Sequence, residues 1–207
     1  MNDLRYSQHA IEPYLEKMYQ SPGYFLEIGC WRGNLISQTL YLESQKGWKG
    51  LCVDPFPMDF ENRTCQLCRK ALSGDGQVRE FVQVSIDRRY GGDVSYFSGF
   101  RDTLQTHWPL IEEHCDYKII GLATITFPQL MKEFSTPRFV EFLSVDTEGS
   151  ELEIFQTIPF DEIEFGLIVF EHNRNEIVQK GVGEILVKNG YKLLESLFVD
   201  DIYVRSK

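Results

Sequence analysis

The sequence predicts an α/β fold: a doubly wound sheet of mostly parallel strands that closes with a C-terminal antiparallel hairpin. Three observations predict it. Continuous apolar runs such as RFVEFLSVD (138–146) and FGLIVFEHN (165–173) read as strands buried on both faces. Helical periods alternate with such runs, the pattern of strands joined by helical crossovers. The last two runs, on either side of Val199-Asp200, sit too close for a crossover and must pair antiparallel.

Each element follows in order. The chain of 207 residues is long enough for one domain, 1–207, with a substantial core. Residues 1–22 read as an N-terminal helical segment. YFLEIG (24–29) is the first strand, and Asn34 to Gln45 a helix on the apolar spacing of Leu35, Ile36 and Leu40, stopped at Gly47. GLCVD (50–54) is the second strand, MDFENR a short helix and CQLCRKALS (65–73) the third strand, with a turn over 73–76. VREFVQVSI (78–86) alternates as another strand. Residues 87–107 keep no clean period but carry glycines and aromatic rings, the marks of a lid or substrate loop. KIIGLATI (118–125) is a strand. Thr126 then caps a helix with Pro128 in its first turn. A short helix spans 150–156, and another runs from Asn175 to Lys188 before Asn189-Gly190.

Composition removes several classes of function. A net charge of −10 leaves no basic stripe for a nucleic-acid backbone. No run of eighteen apolar residues predicts a membrane span, and the N-terminus has no signal-peptide pattern. Five cysteines, an odd number, suit free thiols in a reducing compartment, so a cytoplasmic location is expected. Cys65-x-x-Cys68 has no second pair at metal spacing. On a strand its members face opposite ways, so structural thiols are the better reading.

In doubly wound sheets ligands bind beyond the carboxyl ends of the strands. The first such end reads Glu27-Ile28-Gly29-Cys30-Trp31-Arg32-Gly33, with Asn34 opening the helix. Gly29 permits a sharp turn and Gly33 a close approach of helix to sheet. Asp54 ends the second strand, where a carboxylate can accept from ribose hydroxyls. Together they fit an adenine nucleoside cofactor. A dinucleotide loop needs glycine where Trp31 or Arg32 stands, and Glu27 would repel a pyrophosphate but attract an ammonium. S-adenosyl-L-methionine therefore fits better than NAD.

GYFLEIGCWRGN, TLYLESQKGWKGLCVDPFP, RKALSGDG, SYFSGF, FLSVDTEGSELEIF and NGYKLLESLFVDDIYV resemble, in nearly collinear order, the FkbM-type methyltransferase family. The resemblance runs from about Gly23 to the end. It implies a Rossmann-like seven-stranded sheet of the class I methyltransferase kind and S-adenosylmethionine-dependent O-methylation, often of sugars in glycans. Carried over, Glu27, Gly29 and Gly33 are similar to the methionine-side motif, Asp54 to the ribose acid and Lys70-Ala71 to the segment beside adenine, and Cys30, Trp31 and Asn34 of the same turn are candidate cofactor contacts. Cys30-Trp31-Arg32 departs from the small or acidic residues many members have there. The resemblance implies a carbohydrate or glycoconjugate acceptor and work alongside glycosyltransferases.

Two further strand ends supply chemistry. Asp146 ends one run and Glu171-His172-Asn173 another. Methyl transfer to a hydroxyl needs a base, worth roughly 10²–10⁴ in rate. His172 can be that base, or Asp146, Glu171 and Asn173 can hold Mg²⁺ or another divalent cation that acidifies the hydroxyl. Asp146 is also a candidate cofactor contact. Glu148 either touches substrate or braces its turn, and Arg101 and His107 of the central loop are candidate substrate residues. Glu151 and Glu153 suit the first turn of a helix, while His9 and His114 read as surface residues. Two rivals stay open: an NAD-linked oxidoreductase, and an interaction module that keeps the fold without the chemistry.

Overall fold

The computed structural model describes residues 11–206. His9 and the first ten residues of the predicted N-terminal segment lie outside them. The helix in the remainder of that segment, α1, spans Glu12–Met18.

The main sheet has seven strands: β1 (Tyr24–Ile28), β2 (Lys49–Val53), β3 (Gln66–Cys68), β9 (Phe139–Val145), β10 (Glu164–Glu171), β11 (Tyr191–Ser196) and β12 (Asp200–Arg205). Their spatial order is β11-β12-β10-β9-β1-β2-β3. The five from β10 to β3 run parallel, and β12 is antiparallel to both its neighbours. Order reverses between β1 and β9, so the connections leaving their carboxyl ends diverge and open a crevice.

Side-chain alternation explains the layers. Leu26, Ile28, Leu51, Val53, Leu143, Val145, Ile168 and Phe170 point to one face and pack on α4 (Phe127–Phe134), α5 (Glu151–Thr157) and α6 (Glu176–Lys188). Phe25, Cys52, Phe142, Leu167 and Val169 point to the other face and pack with Leu15 of α1 and Leu42 of α2 (Leu40–Lys46). Strands buried on both faces are why these runs read as continuous apolar sequence. The helix ends follow local chemistry. Thr126 accepts from Gln129 N–H while the Gln129 side chain returns to the Thr126 N–H. Asn175 caps α6.

Several boundaries differ from the sequence reading. Residues 78–86 and 118–125 do not extend the parallel sheet. They form β5 (Val78–Asp87) and β8 (Cys115–Ile125), a long antiparallel pair in a second sheet. The predicted third strand breaks at Arg69-Lys70, and its second part, β4 (Ala71–Leu72), pairs with β8 instead. Residues 58–63 make turns rather than a helix. The predicted loop folds back on β5 as β6 (Gly92–Asp93), a 3-10 turn Ser95–Phe97, β7 (Gly99–Phe100) and a second 3-10 turn Leu104–Thr106. A helix that periodicity did not show, α3 (Trp108–His114), follows.

The largest boundary error lies after the first strand. The helix predicted from Asn34 starts only at Leu40. The Glu27 carboxylate is the cause: it accepts from Gln38 N–H at 2.9 Å, Thr39 Oγ1 at 2.5 Å and Ser37 Oγ at 3.2 Å. Those bonds hold residues 37–39 against the strand end, and Ile36 before them sits in the left-handed region at φ 58°.

Candidate active site

The carboxyl ends of β1, β2, β9 and β10 open onto a cavity of about 560 Å³, closed on the far side by β5 and the lid residues 95–100 and 107. That volume suits a nucleoside-sized ligand.

One wall is the turn after β1. Gly29 has φ +84°, and a Cβ there would lie 1.5 Å from the Asp146 carbonyl oxygen, so only glycine lets the ends of β1 and β9 meet. Trp31 lies across the cavity. Its N–H donates to Asp54 Oδ2 at 2.9 Å, and its indole N–H donates to Ser95 Oγ at 2.9 Å. Asp54 Oδ1 accepts from Phe56 N–H at 2.7 Å, and burial raises the Asp54 pKa. Cys30 also lines the cavity, with its thiol pushed up to about 11 by burial.

Other parts of the sequence-predicted cofactor set are placed differently. Glu27 lines the cavity, but its oxygens serve residues 37–39, so the carboxylate braces a loop rather than waiting for an ammonium. Gly33 packs against a neighbouring turn: a Cβ there would meet Asp59 O at 2.7 Å. Asn34 is exposed and away from the cavity lining. Ala71 lines the cavity in an apolar slot with Phe56, Phe81 and Phe100. Phe56–Phe81 and Phe81–Phe100 ring centroids are each 5.7 Å apart. Sequence reasoning missed Phe56 and Phe81. The only signal was Phe56 two residues after Asp54, since Phe81 joins the site through the second sheet.

The opposite wall is acidic. Asp146, Glu148 and Glu171 bring carboxylate oxygens within 4.8 Å of one another. Burial, then repulsion from Glu171 and Glu148, raises Asp146 well above the usual carboxylate range. Burial first, then Glu148, lifts Glu171 to about 8. Asp146 and Glu171 lie close enough to oppose each other's ionisation, and both carboxyls are pushed toward the protonated form.

The donors around these acids bear on the expected divalent cation. Asn173 directs its amide N–H₂ at Glu171 Oε2 (2.5 Å) and Glu148 Oε2 (3.3 Å). His107 Nε2 lies 3.1 Å from the same Glu148 oxygen. Asp146, Glu148 and Glu171 are hard oxygen donors of the kind a divalent cation takes, whereas Asn173 turns its N–H₂ toward them. No step below uses a cation.

The chain leaves the strand after Glu171, and the remaining candidates separate there. Glu171 and Asn173 line the cavity, whereas His172 lines a small neighbouring pocket together with His107, Glu148 and Asn173. The His172 Nδ1 accepts from Arg174 N–H, its Nε2 lies 3.6 Å from Asp201 Oδ1, and burial lowers its pKa. His172 therefore lies outside the lining of the large cavity. Arg101 is also absent from the cavity wall, its guanidinium lying 3.5 Å over the Trp108 ring. Glu151 is buried and accepts from Thr147 and Gly149 N–H groups, bracing the turn. Glu153 is not a simple dipole partner: its Oε1 accepts from Gly74 N–H, and both its oxygens accept from Arg79 Nη1.

A family model described as the methyltransferase FkbM domain matches residues 27–193. Comparison with curated proteins and with solved structures finds no match. Among the described residues no helix is long and apolar enough to cross a membrane.

Proposed function

This chain belongs to the FkbM methyltransferase family, and from that premise we propose that it uses S-adenosyl-L-methionine to methylate a hydroxyl of a sugar in a glycan or glycoconjugate. The observation that carries the proposal is one cavity joining a glycine turn and strand-end acid to a carboxylate cluster. The order of the main sheet, with its last strand antiparallel, supports reading it as the Rossmann-like class I methyltransferase arrangement.

Bound cofactor supplies a methyl group on a sulfonium, an electrophile that needs no acid to leave. The chain does the rest. Asp54 is the ribose acceptor, and the slot of Ala71, Phe56, Phe81 and Phe100 takes a flat base by apolar contact. Asp146 and Glu171, both pushed toward the protonated form, offer O–H donors and carboxyl acceptors to the hydroxyl groups of a sugar. The rings of Tyr96 and Phe97 in the lid, with centroids 4.4 Å apart, give a surface for a sugar face. Pre-alignment of hydroxyl and methyl is the largest single contribution such a site makes.

An NAD-linked oxidoreductase is disfavoured because the backbone position a pyrophosphate would approach is held by Trp31, hydrogen-bonded to Asp54 and Ser95. Five free thiols support placing the protein in a reducing compartment such as the cytoplasm. Work beside glycosyltransferases follows from a glycan acceptor. The test is transfer of labelled methyl groups from S-adenosylmethionine to a panel of glycans, with and without chelator. Label in a glycan is the predicted result. Cofactor binding with no label in any glycan would favour the non-catalytic interaction module.

A further inference from the structure

We propose that His107, oriented by Glu148, is the base that takes the proton from the acceptor hydroxyl. The inference rests on the methyl-transfer reading of the cavity and supplies a group that reading leaves unassigned. His172 lies outside the lining of the large cavity, and Asp146 and Glu171 are crowded together with Glu148 at its acidic wall. His107 is the one histidine among the described residues that lines the cavity.

Its position is built, not incidental. His107 links the 3-10 turn Leu104–Thr106 to α3, with its N–H bonded to Leu104 O and its carbonyl accepting from Ile111 N–H. The Phe97 ring lies over the imidazole at 5.0 Å. The lid and the Asp146–Gly149 turn are pressed together at Gly149, where φ is +117° and a Cβ would meet Thr103 O at 2.5 Å. That close approach sets the distance between His107 and Glu148. Glu148 itself sits at φ 57°, aiming its carboxylate across the gap, and Asn173 steadies the same oxygen. Nε2 stands 3.1 Å from Glu148 Oε2 with its N–H off the ideal line. Catalytic hydrogen bonds are commonly bent before ligands bind and straighten in the complex.

The step balances simply. A neutral imidazole with Nε2–H toward Glu148 keeps its lone pair on Nδ1. The acceptor O–H proton passes to Nδ1 while the oxygen's electron pair forms the new bond to the methyl carbon. The pair of the broken carbon–sulfur bond leaves with the sulfur as a thioether. The imidazolium is stabilised by Glu148 and later gives its proton to water. The acids facing the ring are Glu148 and, farther off, Glu151, and both raise its basicity.

Two experiments on the full chain test this. The first needs no acceptor: nitrogen-15 NMR of the histidine rings across pH. The neutral His107 ring is expected to carry its proton on Nε2, and Glu148→Gln is expected to move its titration to lower pH. A proton on Nδ1, or a titration unmoved by Glu148→Gln, overturns the proposal. The second measures transfer to a panel of methyl glycosides. His107→Gln and His107→Asn should lower kcat by roughly 10²–10⁴ while S-adenosylmethionine binding stays within about twofold. Imidazole should restore part of the activity of His107→Gly. Wild-type turnover and pH profile in His107→Gln, or loss of cofactor binding in both variants, overturns the base assignment. If no glycoside is methylated, the NMR experiment decides alone. Failure of the wild type to bind S-adenosylmethionine would instead refute the methyltransferase reading, which the NMR result does not depend on.

Discussion

At the scale of single residues, the site depends on a few side chains with divided roles. Asp54 both lines the cavity and ties down the N–H groups of Trp31 and Phe56. Asp54→Ala is expected to weaken S-adenosylmethionine binding about tenfold or more, about 1.4 kcal/mol, as read by calorimetry; unchanged affinity would remove it from the cofactor site. Gly29→Ala should cost more than about 2 kcal/mol in urea unfolding, because a Cβ collides with Asp146 O at a left-handed φ. The raised Glu171 carboxyl has a pH signature. Glu171 is raised from 4.5 to about 8, so the folded chain holds a proton the unfolded chain gives up earlier. This stabilisation is complete below about pH 4.5 and is lost as pH rises through about 8. Thermal stability should therefore fall more steeply across that window in the wild type than in Glu171→Gln, and parallel curves would contradict the assignment. At this scale the sequence was only half legible. Strand ends brought Asp54, Gly29 and Asp146 to the cavity wall as expected from the sequence, whereas His172 lies outside that lining because the chain turns after Glu171.

At the scale of elements, buried strands and capped helices were readable, and the departures have local causes. Thr126 and Asn175 start α4 and α6 as their side chains dictate. Residues 34–39 have helical spacing, yet the buried Glu27 carboxylate gathers their hydrogen-bonding groups and overrides it. The chain from 78 to 125 was read as strands and loop, but its pairing in a second sheet is non-local and no period announces it. That insertion is secured to the core by Arg79, which pairs with Glu153 on α5 and Asp102 in the lid and stacks 4.1 Å over Phe100. Because Asp102 is exposed, much of that pairing is screened. Arg79→Met is expected to lower stability by about 1–2 kcal/mol in urea unfolding. An unchanged midpoint would mean the clamp contributes nothing.

At the scale of the whole molecule, two sheets meet over one cavity: the first supplies the strand-end acids, the second supplies the aromatic slot and the lid. The acids were legible because parallel strands deliver ligands at their carboxyl ends. Phe81 and the His107–Glu148 contact were not, because they arise where the inserted sheet folds back on the first. With His107 as the base no cation is required, and EDTA is expected to leave methyl transfer unchanged. Loss of transfer on chelation, restored by Mg²⁺, would contradict that. The central claim is that the cavity is a cofactor site, and titration calorimetry with S-adenosylmethionine and S-adenosylhomocysteine tests it most directly. Saturable binding of one molecule per chain by both, abolished or weakened in Asp54→Ala, is the predicted result. No heat of binding from either nucleoside, with NAD binding in their place, would contradict it.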